Sequence, residues 1–376
     1  MKIAIITSRY PSADNPYNHM FVHMRSKEYI KQGEQVEVFV PSNEVNEYIF
    51  EGVRVRCMPS KEITKFLKKY DVLYLHLLHI YPLMKTDGWP IYNAILKNKY
   101  PFAMYVHGSE VQKYSARPFD TDHSIRGILR RFKKDLLLVH FMRKFVNESR
   151  LNVASHYLFP SFWMKKEMED NLSVEVSSFD VIANGIETDL FEFSNLFEKR
   201  FKLMALRPLS SMKYAVDVAI ETVRFLPAQY TLDIFGKGDY EKKFKDLIKK
   251  NSLEERVNIY STFINKSDMP QHFSKYGVSM STTRMDAQGV SMCEAMSSGL
   301  LTVSNDNTAI PEFISDMETG ILANKPKELA EKILKVTSSK ELFERITKAG
   351  RESMEEIDVK LTCKKELRIL KEIASR

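Results

Sequence analysis

What most limits the fold of this chain is a rhythm: apolar runs of about four to six residues recur along it, each followed by a longer amphipathic stretch. A run that short suits a buried strand, and strands that alternate with covering helices build a parallel sheet with helices on both faces. Strands are expected over 2–7, 35–40, 53–57, 72–76, 103–106 and 153–159, with a helix over 19–31. The rhythm restarts with strands over 201–206, 230–235, 257–260, 278–281 and 301–303, and helices over 214–225, 240–251 and 266–273. At 376 residues the chain exceeds one ordinary domain. A break is expected after the strand-like 181–186, which ends on the turn signal Asn184-Gly185. That gives a first α/β domain over 1–185 and a second over 186–354, with 187–199 as a linker. The charged segment 355–376, helical in period and without a strand partner, is expected to pack back on the first domain.

Hydrophobic residues at 44% and charged residues at 28% exclude a disordered chain. The longest apolar runs, such as 136–139, are too short to span a bilayer. The opening Met1-Lys2-Ile3-Ala4-Ile5-Ile6-Thr7 enters a strand without a secretory leader pattern. Cys57, Cys293 and Cys363 are spaced for neither a disulfide framework nor a zinc site, so a cytoplasmic protein is expected. The net charge of +7 is unevenly spread. Between Lys97 and Lys166, 14 Lys and Arg against 5 Asp and Glu give +9, which leaves −2 for the rest. Within that region Ile125, Leu129, Phe132, Leu136, Val139, Met142 and Val146 fall at helical spacing among Arg126, Arg130, Arg131, Lys133 and Lys134. Such a helix suits an anionic membrane surface, with the protein peripheral to it, or a phosphorylated acceptor. It equally suits a solvated helix whose apolar face packs on its own domain. Nucleic acid is not an expected partner.

The stretch richest in chemistry follows the strand ending near Ser281 and runs from Thr283 to Gly299. Gly289 leads into a short helix that Gly299 closes as the residue beyond its C-cap. A glycine that permits close approach, followed by the free N–H groups of Val290 and Ser291, makes an anion site. Asp286 in the loop and Glu294 one turn into the helix offer acceptors to a hydroxyl-rich ligand. Alternatively, Asp286 caps the helix and Glu294 complements its dipole. Arg207 and Lys213 in isolation read as solvated surface cations, but their place just after the strand over 201–206 favours a functional role. His107, in His107-Gly108-Ser109-Glu110, leaves the strand over 103–106 and could reach a ligand or be satisfied locally. Gly236-Lys237-Gly238 ends another strand and is weak as a phosphate loop. A dinucleotide fingerprint after the first strand is missing, since 7–18 contains no glycine. Asp120-Thr121-Asp122 is the one Asp-x-Asp, but no apolar strand leads into it, and no metal is expected.

The series Asp286-x7-Glu294-Ala295-Met296-Ser297-Ser298-Gly299 resembles the Glu-x7-Glu motif of glycosyltransferase family 4, retaining enzymes of the GT-B fold. Other elements similar to that family occur in its order and cover nearly the whole chain. They are Ser8-Arg9-Tyr10-Pro11 with His19-Met20-Phe21-Val22, the His107 motif, the Arg207 and Lys213 pair, and Ala309-Ile310-Pro311-Glu312. The resemblance implies a GT-B molecule: two facing Rossmann-like doubly wound domains with a cleft between them, the first for acceptor and the second for nucleotide-sugar donor. It implies that Glu294 binds the donor ribose, and that Asp286 and His107 contact the transferred sugar. Arg207 and Lys213 would clamp the diphosphate, while Arg9, Gly236, Gly289, Val290 and Ser291 would line the donor pocket. The implied reaction is a metal-independent, cofactor-free transfer with retained configuration, a UDP-sugar being the expected donor. With the basic face, the expected acceptor is a glycan or lipid-linked glycan of bacterial surface polysaccharide synthesis. Three departures stand out: Asp286 for glutamate, Asn18 and His19 for small residues, and Ala309 for glycine. They motivate the alternative of a catalytically silent GT-B partner subunit that binds nucleotide or glycan.

Overall fold

The computed structural model describes residues 1–15, 18–80, 84–117, 119 and 124–376, and all of their side chains but that of Arg130. They form two compact units, Met1–Asn184 together with Val359–Arg376, and Gly185–Asp358.

The first unit is built on β1 (Lys2–Thr7), β2 (Gln35–Pro41), β3 (Asn46–Phe50), β4 (Val53–Met58), β5 (Val72–His76), β6 (Phe102–Tyr105), β7 (Ser155–Phe159) and β8 (Phe179–Val181). They lie side by side as β3-β4-β2-β1-β5-β6-β7-β8. All pair in parallel except β3, which runs antiparallel to β4. β5 is buried at every position, so it is apolar without alternation, as a strand covered on both faces must be. The helices are α1 (Met20–Lys31), α2 (Ser60–Ile63), α3 (Trp89–Asn98), α4 (Ile125–Ser149) and α5 (Phe162–Leu172).

In the second unit β9 (Lys202–Leu206), β10 (Thr231–Phe235), β11 (Val257–Tyr260), β12 (Val278–Met280), β13 (Leu301–Ser304) and β14 (Ile321–Leu322) form a wholly parallel sheet ordered β11-β10-β9-β12-β13-β14. Its helices are α6 (Val216–Val223), α7 (Glu241–Lys250), α8 (Met269–Phe273), α9 (Val290–Ser297), α10 (Pro326–Thr337) and α11 (Lys340–Glu355). A last helix, α12 (Val359–Ala374), belongs to the first unit. Its Cys363, Leu367, Leu370 and Ile373 are buried with Ile3, Val38 and Tyr74. Its Glu366 shares the Nε–H of Arg25 between its two oxygens, each at 3.1 Å, and accepts from the Tyr74 hydroxyl at 3.0 Å and from the Tyr29 hydroxyl.

Strand order reverses direction at β1, flanked by β2 and β5, and at β9, flanked by β10 and β12. In doubly wound sheets a crevice opens beyond the carboxyl ends of the strands at such a switch point, because successive crossovers leave to opposite sides. Thr7, His76 and His107 stand at or just beyond the ends of β1, β5 and β6, and Arg207 and Ser281 just beyond β9 and β12.

Several expectations shift. The strands expected over 103–106 and 153–159 occupy Phe102–Tyr105 and Ser155–Phe159, and the one over 181–186 is Phe179–Val181. The stretch 187–199 is not a free linker: Phe191 and Leu196 sit in a core of the second unit, and Nη1 of Arg351 donates to the Thr188 and Phe191 carbonyls at 3.1 and 2.7 Å. The hairpin joining β3 to β4 turns through Glu51 and Gly52, with φ of 44° and 83°.

Candidate functional site

In the second unit the loop after β12 is fixed before α9 begins. The Asp286 backbone N–H donates to the Thr308 hydroxyl at 3.1 Å, and the Asp286 carbonyl accepts from the Ala309 N–H at 3.3 Å. Oδ1 of Asp286 then accepts the N–H groups of Gln288 and Gly289 at 3.3 and 3.0 Å. Gly289 is the N-cap of α9 with φ 77° and ψ 62°, left-handed backbone that a side chain would strain. Its carbonyl accepts from Met292 and Cys293 at 2.9 and 3.1 Å, so the N–H groups of Val290 and Ser291 are the ones left without an intrahelical acceptor. Gly299 lies just past the helix with φ 89°.

Arg207 follows β9 and is only 4% exposed. Its Nη2 donates to the Ser281 carbonyl at 2.6 Å, and its Nη1 lies 3.5 Å from Oγ of Ser291 in the first turn of α9. No carboxylate lies within ion-pairing distance of it among the described residues, and its buried Nε finds no partner there. Burial pushes this guanidinium below its ordinary range, while Asp286 pulls it back. The site therefore holds a buried cation without an ion-paired carboxylate, met by carbonyl and hydroxyl dipoles and at longer range by Asp286, beside the positive end of a helix.

Lys213 is half-buried in the turn before α6, and that turn is tied to the Asp286 loop. The Lys213 carbonyl accepts the Arg284 N–H at 2.8 Å, and Arg284 forks onto Asp217 with contacts of 2.9 and 2.7 Å. Glu294, 6% exposed, faces Nζ of Lys266 at 3.5 Å, and the same ammonium lies 2.7 Å from Glu187. Burial raises the Glu294 carboxyl, Lys266 lowers it, and Glu187 raises it again. At Gly236 an added Cβ would lie 1.9 Å from the Arg207 carbonyl oxygen, and its N–H is already given to Tyr260 at 3.1 Å. This glycine lets two loops meet under Arg207. Ala309 is buried against the Asp286 carbonyl, at the start of the 3₁₀ turn Ile310–Glu312.

In the first unit, histidines crowd the ends of the central strands. Nδ1 of His76 and Nε2 of His107 are 3.0 Å apart, so one ring donates and the other accepts. His107 stacks on Tyr105 at 4.6 Å and touches Phe21 at 4.6 Å. Burial holds both His76 and His107 well below the ordinary histidine range. The Glu110 carboxylate accepts the N–H groups of His107 and Gly108 at 2.6 and 3.0 Å, while burial pushes it up to about 7. His19 precedes α1 in a left-handed conformation, φ 47°, with Nδ1 3.1 Å from Oγ1 of Thr7. Histidine tolerates that region better than most residues, which explains how it stands where the resembled family has small residues. Arg9 is exposed, and its carbonyl accepts the Thr7 hydroxyl at 3.1 Å. Arg126, Lys133 and Lys134 are exposed on α4 and Arg131 is half-buried there. Arg130 lies on the same helix with its side chain outside the described ones, and Asp120 and Asp122 lie outside the described residues altogether.

The second unit thus brings together Asp286, Gly289, Val290, Ser291, Arg207 and Lys213 by direct contacts or shared loops, with Glu294 one turn further along α9. Gly236 supports Arg207 from below. Arg9 and His107 belong to the first unit. Sequence reasoning missed Lys266, Glu187, Glu110 and the Arg284–Asp217 fork. Only Glu110 carried a signal, as the last residue of the His107 motif.

Residues 187–353 match the family model described as glycosyl transferases group 1. The amylovoran biosynthesis glycosyltransferase AmsK of Erwinia amylovora is 26% identical over 243 residues, covering 62% of this chain and 55% of that protein, so the match spans about half of that relative. Among solved structures, sucrose-phosphate synthase from Thermosynechococcus elongatus superposes with a TM-score of 0.74 at 13% identity, covering 100% of this chain and 99% of that one. Anabaena Alr3699/HepE in complex with UDP gives 0.73 at 16% identity, with 99% of each chain covered. These likenesses show the fold: both units are the Rossmann-like halves of a GT-B molecule.

Proposed function

We propose that this chain is a retaining glycosyltransferase that moves a sugar from a UDP-sugar to a glycan or lipid-linked glycan acceptor in bacterial surface polysaccharide synthesis. The observation that carries the proposal is Arg207: a buried guanidinium without an ion-paired carboxylate, held against the start of α9 where the Val290 and Ser291 amides open. Leaving a cation unpaired in the interior is costly unless an anion arrives to meet it. A nucleotide diphosphate supplies that anion. In the proposed reaction the departing diphosphate oxygen takes the acceptor proton on the face where the new bond forms. Arg207, Lys213 and the α9 amides neutralise the charge that grows on it. Glu294 accepts from the ribose hydroxyls, and Asp286 and His107 orient the transferred sugar. Burial keeps His107 neutral, so it acts as a hydrogen-bond partner of the sugar and not as an acid. The donor charge is met by side chains and helix amides, so we propose transfer without a metal. The UDP complex of HepE supports the donor class, and the name of AmsK, an amylovoran biosynthesis glycosyltransferase, supports a biosynthetic glycosyl transfer.

One observation favours the silent-subunit alternative: the Asp286 carboxylate is engaged as a backbone cap. A single assay separates the two. Purified protein is incubated with UDP-, GDP- and ADP-sugars and cell-envelope acceptor lipids, with and without chelator, and released nucleotide is measured. Acceptor-dependent release of UDP, unchanged by the chelator and with the product anomer matching the donor, is expected. UDP binding with no turnover of any donor sinks the enzyme assignment. Glu294→Ala is expected to weaken UDP binding by about tenfold or more; an unchanged Kd removes its ribose role.

A further inference from the structure

α4 carries two apolar faces, and only one of them is used. Gly127, Leu138, Met142, Phe145 and Val146 are buried against the first unit, and buried Asp135 on the same side accepts the N–H groups of Tyr114 and Ser115 at 2.5 and 3.0 Å. The second face lies in the first half of the helix and points to solvent: Ile125 is 77% exposed, Ile128 50%, Leu129 63%, Phe132 69% and Leu136 61%. At about 100° of turn per residue these five fall within an arc of about 100°, roughly a third of a turn from the buried face. A helix that needed only to pack on its own unit would place polar residues there. Arg126 and Lys133 border the arc on one side, and 125–134 contains five basic residues, Arg126, Arg130, Arg131, Lys133 and Lys134, and no acidic one.

We infer that this exposed face of α4 docks on an anionic phospholipid bilayer, with the helix lying in the headgroup plane, its five apolar side chains entering the acyl boundary and its cations meeting lipid phosphates. Charge decides the occupant. A symmetric contact with a second copy would set the same cation-rich, acid-free patch against itself. A polyanionic glycan would be met by cations and would have no use for a solvent-facing Phe132 between Leu129 and Leu136. An anionic bilayer satisfies both halves of the pattern. Just after Leu136, Leu137 and Leu138 turn away from this face and line a mainly apolar pocket of about 190 Å³, which Ser109, in the loop that carries His107, also lines.

The test is sedimentation of the full chain with vesicles of phosphatidylcholine alone and of phosphatidylcholine with phosphatidylglycerol at roughly three to one. The expected result is binding to the anionic vesicles only, weakened by salt. Replacing Leu129 and Phe132 together by Glu should lower that binding at least about tenfold, while Phe132→Leu retains it. Arg126→Gln with Lys133→Gln should weaken it several-fold. In Phe132→Trp, emission should shift to the blue on addition of anionic vesicles, which reports insertion even if the double Glu variant fails to fold. Wild-type protein that stays in the supernatant overturns the inference, as does equal binding to neutral vesicles or an unshifted Phe132→Trp. A dimer by light scattering that the double Glu variant splits overturns it in favour of a self-interface. None of these readouts depends on sugar transfer, so they stand or fall apart from the donor assignment.

Discussion

At the scale of single residues, Asp286 is where sequence and geometry part. The Glu-x7-Glu pattern suggests a carboxylate that reaches the sugar, whereas Oδ1 of Asp286 holds the N–H groups of Gln288 and Gly289. The second oxygen makes both roles compatible, and two substitutions divide them. Asp286→Asn keeps an acceptor oxygen for the cap and removes the charge. Asp286→Ala removes both and is expected to cost about 1 kcal/mol, seen as a midpoint lowered by roughly 3 °C. We expect the Asn variant to melt like the wild type yet transfer sugar more than tenfold more slowly. A full-rate Asn variant would reduce Asp286 to a structural cap. The same loop shows what a sequence hides. Glu294 and Arg207 were legible because each is a charged residue in an apolar context next to a strand or helix end. Lys266 was not, because its meeting with Glu187 and Glu294 depends on where a short helix lands.

At the scale of elements, the ends of β1, β5 and β6 gather four histidines, His19, His76, His79 and His107. Burial lowers all of them, His19 and His79 to about 4 and the other two well below their ordinary range. An unfolded histidine takes its proton near pH 6.5. Below that pH the unfolded chain therefore binds more protons than the folded one, and stability is lost as pH falls from about 6.5 toward 4. Each histidine contributes up to about 1.4 kcal/mol per pH unit. Glu110 works the other way. Raised to about 7, it takes its proton in the folded state first and adds stability over the same fall in pH. Four histidines stand against one carboxyl group, so the midpoint of the first unit should drop between pH 6.5 and 5, above the range of ordinary carboxylates. His19→Asn, which tolerates left-handed backbone, should flatten that slope. A midpoint constant across the window, or a slope unmoved by His19→Asn, would contradict it. Most strands were legible to within a residue or two, because a doubly covered parallel strand is an unbroken apolar run; the short β8 and β14 were not, β8 sharing only Val181 with the expected 181–186. β3 was not legible: it is an edge strand with Ile49 73% exposed, and its turn is Glu51-Gly52 in place of a stronger hairpin signal.

At the scale of the whole molecule, the two sheets were legible in the rhythm of the chain, and the return of its last helix to the first unit was expected from a segment without a strand partner. What holds that helix was not legible, since Arg25 and Glu366 stand 341 positions apart. Their pair is buried, 3% and 0% exposed, and Tyr29 and Tyr74 complete the carboxylate's hydrogen bonds. Deleting one partner of such a pair leaves the other as an uncompensated interior charge, a cost of about 3–5 kcal/mol. Most of the proposed donor residues, by contrast, lie within Gly185–Asp358, Arg9 and His107 being the exceptions. Calorimetry should therefore distinguish the units. Glu366→Ala is expected to lower one unfolding transition by roughly 10 °C and leave the other in place. UDP at about a hundred times its Kd should raise that other transition by roughly 5–10 °C. If UDP and Glu366→Ala move the same transition, α12 and the donor site unfold as one body, and the division of labour between the units fails.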